Sequence, residues 1–194
     1  QPVAEADGGS RASRAQAHLA RLTPNSREAL LLNSIEGLRH DQIAEIMQIG
    51  QAEAVDLVRI AMDEMGRAIR GKVMIIEDET IIAMDLKGIV QALGHDVTGI
   101  ARTHSAAIEL AGSDRPDLIL ADIQLADGSS GVDAVNELLA SMGEVPVIFI
   151  TAFPERLLTG DRPEPAFLIS KPYSEEQVCS AVSQAMFFAS TEGL

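Results

Sequence analysis

Apolar residues along this chain change their spacing near residue 70. Before it they fall at Leu19 and Leu22, then Ala29, Leu30, Leu31, Leu32 and Ile35, then Ile43, Ala44, Ile46, Met47 and Ile49, then Val55, Val58, Ala61, Met62, Met65 and Ile69. Many of these recur at three or four residues, the mark of amphipathic helices. Thr23 with Pro24 predicts an N-cap and first turn, and Gly37 and Gly50 predict helix stops. A short helix over Asp41 to Gln48, a turn at Ile49-Gly50 and a longer helix from Gln51 to Arg70 give a helix-turn-helix pattern. Residues 1–12 are polar and too poor in apolar surface to order themselves, so they read as a linker or tail.

From Lys72 short apolar runs alternate with helical stretches. Strands are predicted over 72–76, 96–101, 117–121, 146–150 and 166–169, and helices over 79–93, 104–113, 131–142 and 174–188, a doubly wound (βα)5 pattern. In the fourth connection Pro154, Gly160, Pro163 and Pro165 leave room for a turn or two at Glu155 to Leu158. The predicted class is α + α/β: a tail over 1–12, a small helical domain over 13–70 and an α/β domain over 71–194. Arg70-Gly71-Lys72 joins the halves without a flexible linker, which predicts intimate packing between them.

Composition narrows the function. No apolar run is long enough to span a membrane, and the chain begins with Gln and has no apolar leader, which predicts a piece of a cytoplasmic protein. The single cysteine, Cys179, excludes a disulfide framework and reads as a core residue. Net charge is −14, of which −2 lies in residues 1–70 and −12 in 71–194. Neither half offers a basic surface for nucleic acid or anionic membrane, so protein and metal partners are favoured.

Four strand runs end on reactive groups. Leu118 to Ala121 stops at Asp122 and opens into a loop from Gln124 to Gly131; Val73 to Ile76 ends at Glu77-Asp78, Val147 to Ile150 at Thr151, and Phe167 to Ser170 at Lys171-Pro172. That edge is where open α/β sheets bind ligands. An aspartate there can accept a phosphoryl group if the charges of donor, acceptor and transition state are screened. Asp122 is the candidate acceptor. Glu77, Asp78, Asp122 and the main-chain carbonyl of Gln124 form an oxygen donor set for one Mg²⁺, while Lys171 offers an ammonium and Thr151 a hydroxyl. Glu79 reads as the first turn of a helix. His18, His40, His95 and His104 lie in separate segments with no paired acid and read as surface or satisfied core residues. Phe187-Phe188 reads as buried in preference to an exposed docking patch.

Residues 72–190 resemble a two-component receiver domain. Glu77-Asp78 match its acid pair, Asp122 its phosphoacceptor, Thr151 its hydroxyl position and Lys171-Pro172 its Lys-Pro, whose peptide is usually cis in that family. Glu77 stands where Asp is commoner, and Thr151-Ala152-Phe153-Pro154 is similar to the motif of atypical receivers. Leu168 occupies the position of the usual aromatic switch residue, leaving Phe153, Phe167 and Tyr173 as alternatives. Residues 15–70 resemble region 4 of extracytoplasmic-function sigma factors through Leu22-Thr23-Pro24, Arg27 to Leu32, Ile35 to Leu38 and Gln42 to Met47. The helix that reads DNA in such a region here carries Glu53, Asp56, Asp63 and Glu64 against Arg59, Arg67 and Arg70, a poor composition for contacting phosphates.

A sigma-like part followed by a receiver resembles the PhyR-type general stress response regulators. The acidic helix argues against direct DNA binding. The resemblance implies a receiver that catalyses its own aspartyl phosphorylation from a sensor histidine kinase or phosphotransfer protein and is otherwise no enzyme. Phosphorylated Asp122 would loosen the receiver's hold on the sigma-like domain, which would then sequester a NepR-type anti-sigma factor and release the sigma factor, an anti-anti-sigma role. The family's region-2-like part is absent from this sequence, which predicts weaker anti-sigma binding. The competing readings are a DNA-binding transcription factor using residues 41–70, and a phosphate sink.

Overall fold

A computed structural model describes residues 22–34, 36–158, 165 and 167–191. The tail over 1–12, Leu19, His18, Ile35, Gly160 and Pro163 lie outside the described residues. The chain forms two compact units whose main boundary falls between Ile69 and Arg70.

The first unit contains α1 (Pro24–Ser34), α2 (His40–Met47) and α3 (Gln51–Ala68). Ala29 of α1, Ile43 and Ala44 of α2, and Ala54 and Val58 of α3 form its apolar centre, with Leu32, Leu38, Met47, Ile49, Leu57 and Met62 packed around them. Pro24 opens α1 as the sequence predicts, with the Thr23 and Ser26 hydroxyls hydrogen-bonded across the first turn. The turn between α2 and α3 differs from its prediction. Gln48, with φ 57° and ψ 43°, takes the left-handed position that ends α2, and Ile49 N–H closes onto Ala44 O at 3.0 Å. Gly50 instead sits at φ −70° as the N-cap of α3. A polar residue tolerates the left-handed region at a modest cost, so Gly was not needed there. α3 also ends at Ala68, before Arg70.

The second unit alternates strand and helix: β1 (Lys72–Ile76), α4 (Thr80–Ala92), β2 (Asp96–Ala101), α5 (His104–Ser113), β3 (Leu118–Ala121), α6 (Gly131–Met142), β4 (Val147–Thr151), a 3₁₀ turn (Pro154–Leu158), β5 (Phe167–Ser170) and α7 (Glu175–Thr191). All neighbouring strands pair in parallel, in the order β2-β1-β3-β4-β5. Alternate residues of the central strands, Met74, Ile76, Ile119, Ala121, Val147 and Phe149, face Ala107 and Ala111 of α5 and Ala134, Val135 and Leu138 of α6. Their neighbours Val73, Ile75, Leu118, Leu120, Ile148 and Ile150 are equally buried toward the opposite face, as strands covered on both sides require. The chain leaves β1 toward β2 and later returns to β3 on the other side of β1. The crevice between the ends of β1 and β3 is therefore the point where winding reverses, the standard ligand position of such sheets.

The opposite edge is closed by charge and hydrogen bonds. Arg70 grips Asp96 through Nε and Nη2 at 3.1 and 2.8 Å, Lys72 N–H donates to Asp117 Oδ2 at 2.8 Å, and Gly71 N–H donates to Nδ1 of the buried His95 at 3.2 Å. Accepting at Nδ1 places the His95 proton on Nε2, which has no hydrogen-bond partner among the described residues. Burial lowers the His95 pKa, with Asp96 and Asp117 pulling weakly the other way. The native state thus binds a proton less readily than the unfolded chain. Stability is complete above the unfolded value of about 6.5 and falls as pH drops below it. Chemical denaturation between pH 7 and 5 should show this slope, and His95→Asn, which keeps an acceptor near Nδ1 but cannot titrate, should flatten it.

Candidate functional site

The sheet brings the predicted residues together at its carboxyl edge. Asp122 is fixed by its own backbone: its N–H donates to Ile76 O at 2.8 Å, which extends the β1–β3 pairing by one residue. Its Oδ1 accepts from Ile123 N–H at 2.6 Å and from Gln124 N–H at 3.4 Å, and its Oδ2 accepts from Lys171 Nζ at 2.8 Å. Glu77, only 1% exposed, accepts Lys171 Nζ on Oε2 at 2.8 Å and Glu79 N–H on Oε1 at 3.0 Å. Burial raises the Glu77 pKa; Lys171 and the Glu79 N–H pull it down and Asp122 pushes it up. For Lys171, burial opposes the charge, yet its hydrogen bonds to Asp122 and Glu77 outweigh that and hold the ammonium above its ordinary value. A side chain tied to two buried carboxylates this way stays protonated at any physiological pH.

Asp78 is half-buried, and its carbonyl accepts from Arg102 Nη2 at 2.9 Å. One carboxylate oxygen from each of Glu77, Asp78 and Asp122 lies within 4.8 Å of the others, an all-oxygen acidic cluster suited to a hard divalent cation. Gln124 pairs with Ser130 in an isolated bridge, which brings its backbone beside Asp122. Thr151 is fully buried, its Oγ1 accepting from Phe153 N–H at 3.1 Å and its carbonyl from Lys171 N–H at 2.8 Å. The Lys171–Pro172 peptide is cis.

Three contacts escaped the sequence reading. Glu79 is exposed, but its Oε1 reaches Lys171 Nζ at 3.3 Å, a third carboxylate on one ammonium. His104, read as lacking a paired acid, meets Glu137 across α5 and α6 at 2.6 Å, and its N–H donates to Ser129 Oγ at 3.3 Å. Their separation of 33 positions hides the pair from any local pattern. Gly131 carries the third signal. A Cβ there would lie 1.7 Å from the Asp122 carbonyl oxygen. Its N–H donates to Ile123 O at 2.7 Å and Ser130 caps α6 on Val132 and Asp133 N–H, so the loop folds tightly over the strand end.

The alternative switch positions are spread out. Leu168 and Phe153 are exposed, with Arg156 4.9 Å from the Phe153 ring centroid, Phe167 is half-buried, and Tyr173 Oη donates to Asp85 Oδ2 at 2.8 Å. Phe187 is buried, in line with the sequence pattern; the Phe188 side chain lies outside the described residues. On α3, Arg59 is held between Asp56 at 3.6 Å and Asp63 at 3.4 Å. Arg70, counted with this helix from sequence, lies beyond it and pairs with Asp96. That correction leaves the helix more acidic. No helix among the described residues is long and apolar enough to cross a membrane.

Gly131→Ala would force the backbone away from Asp122 and should cost about 3 kcal/mol, read as a lower denaturation midpoint.

Residues 73–183 match the response regulator receiver domain family, and residues 19–68 match the family described as response regulator PhyR, sigma-like domain. The phyllosphere-induced regulator PhyR of Methylorubrum extorquens is 52% identical over 175 residues, 90% of this chain and 65% of that protein. The chain thus spans just under two thirds of that relative. The crystal structure of the response regulator PhyR from Brucella abortus is 49% identical, with TM-score 0.65 over 96% of this chain and 76% of that one. The anti-anti-sigma factor PhyR of Bartonella quintana, co-crystallised with the anti-sigma factor NepR, is 48% identical with TM-score 0.51 over 93% of this chain and 74% of that one. With a sigma-like helical unit ahead of a parallel five-stranded receiver, the chain belongs to the PhyR family of response regulators.

Proposed function

We propose that this chain is a cytoplasmic, phosphorylation-activated anti-anti-sigma factor, in which Asp122 takes a phosphoryl group and the sigma-like domain then sequesters a NepR-type anti-sigma factor. The observation that carries the reading is the buried Asp122 carboxylate at the sheet's switch point, with Lys171 Nζ 2.8 Å away and shared with Glu77. The output follows from likeness to PhyR. The α3 face supports it, since Arg59 is flanked by Asp56 and Asp63, acids that would repel DNA phosphates.

The donor is the phosphohistidine of a sensor kinase or phosphotransfer protein, or a small acyl phosphate. A carboxylate oxygen of Asp122 forms the new O–P bond as the P–N or P–O bond of the donor breaks, and the departing imidazole or carboxylate takes the electron pair. Glu77, Asp78, Asp122 and the Gln124 carbonyl would hold Mg²⁺, which supplies positive charge against the phosphoryl oxygens. Lys171 exchanges its hydrogen bond to Asp122 for one to a phosphoryl oxygen. The Thr151 hydroxyl donates to another. Glu77, Asp122, Thr151 and Lys171 stand at or directly after the ends of β1, β3, β4 and β5, which holds their backbones in place for the transfer.

Calorimetric titration with a NepR-type anti-sigma factor tests the reading. Acetyl phosphate with Mg²⁺ should tighten binding by about tenfold or more, and Asp122→Ala should remove the gain. Phosphorylated protein that shows no tighter binding would overturn the anti-sigma output. Gel shifts at low salt that weaken steeply as salt rises would instead favour a DNA reader using residues 41–70.

A further inference from the structure

Tyr173, the only tyrosine of the chain, stands two residues after Lys171. Its hydroxyl donates to Asp85 Oδ2 at 2.8 Å. Asp85 lies on α4, the helix that starts at Thr80 directly after Glu77, Asp78 and Glu79. The segment bearing Lys171 is therefore anchored on both sides. Behind, Lys171 N–H donates to Thr151 O at 2.8 Å; ahead, Tyr173 is fastened to the helix that begins just after the acid pair. Between these anchors the Lys171 ammonium reaches Glu77 and Asp122, each at 2.8 Å.

A lysine has four freely rotating side-chain bonds, so the place of its backbone decides how far its ammonium reaches. Phenylalanine at 173 would supply the same ring and the same packing. The hydroxyl adds a directional contact to a charged acceptor, of the stronger kind of hydrogen bond. Burial and the Asp85 carboxylate both raise the phenol pKa, which keeps the hydroxyl a donor throughout the physiological range.

Resting on the proposed phosphorylation of Asp122, we infer that the Tyr173–Asp85 hydrogen bond positions Lys171 and sets the reach of its ammonium to the phosphoryl group. Tyr173 touches no reacting atom and acts through the lysine.

The test is the rate of Asp122 phosphorylation by acetyl phosphate with Mg²⁺ in the full chain. Tyr173→Phe and Asp85→Leu should each slow it about three- to tenfold, the effect of one hydrogen bond, and the double variant should be no slower than either. Asp85→Asn keeps an acceptor and should stay within about twofold of the starting protein. In a Lys171→Gln background Tyr173→Phe should change nothing, an outcome that a general loss of packing would not give. An unchanged rate in Tyr173→Phe, or an equal loss with and without Lys171, overturns the inference while leaving phosphorylation of Asp122 intact. Phosphorylation that persists in Asp122→Ala overturns the proposed function instead.

Discussion

The carboxyl edge of the receiver depends on a single ammonium. Glu77 and Asp122 are both buried, and Asp78 brings a third carboxylate within 4.8 Å. Ionised together with no cation among them, they would repel through surroundings that screen charge far less than water does. Lys171 Nζ, 2.8 Å from both buried acids, turns the repulsion into attraction. It also joins parts of the sheet that share no backbone hydrogen bond. β5 pairs with β4 alone, so the lysine spans from β5 over β4 and β3 to the end of β1. Removing its charge would leave two buried acids uncompensated as well as deleting a contact.

The compensation is incomplete, and that is informative. Glu77, Asp122 and Glu79 meet one lysine while Asp78 lies within 4.8 Å of the buried pair, so the ammonium satisfies that pair and leaves the crevice negative. Such a site attracts a divalent cation and opposes an incoming phosphate until one has bound. The chemistry proposed for Asp122 therefore rests on charge balance as much as on the identity of the acceptor.

How much of this was legible in the sequence depended on the range of each interaction. The strand runs stood out because a parallel strand buried on both faces must be apolar throughout, and each ended at a visible polar residue. Asp122, Glu77, Asp78, Thr151 and Lys171 could therefore be placed at one edge before any fold was known. Contacts between distant segments were invisible. His104 with Glu137, Glu79 with Lys171 and Gly71 with His95 are each made by side chains whose partners lie 24 to 92 residues away. Gly131 illustrates the limit well: it looked like a loop glycine, and only the folded path of the Asp122 carbonyl shows why a side chain has no room. Local backbone choices misled as well, since Gln48 took the left-handed turn that Gly50 was expected to supply.

The helical unit shows how a fold can be kept while its surface chemistry changes. Along α3 the inward positions Ala54, Val58, Ala61 and Met65 are buried and spaced at three or four residues, and this stripe fixes the packing of the helices. The outward positions make no demand on the fold. Asp56 and Asp63 there engage Arg59, so the helix retains its shape while that guanidinium is already held by neighbours one turn away. Shape is carried by one stripe, and the other is free to change its charge. A protein that grips a helix of this form through its sides meets the same geometry in either case, whereas DNA, which must be met by positive charge, does not.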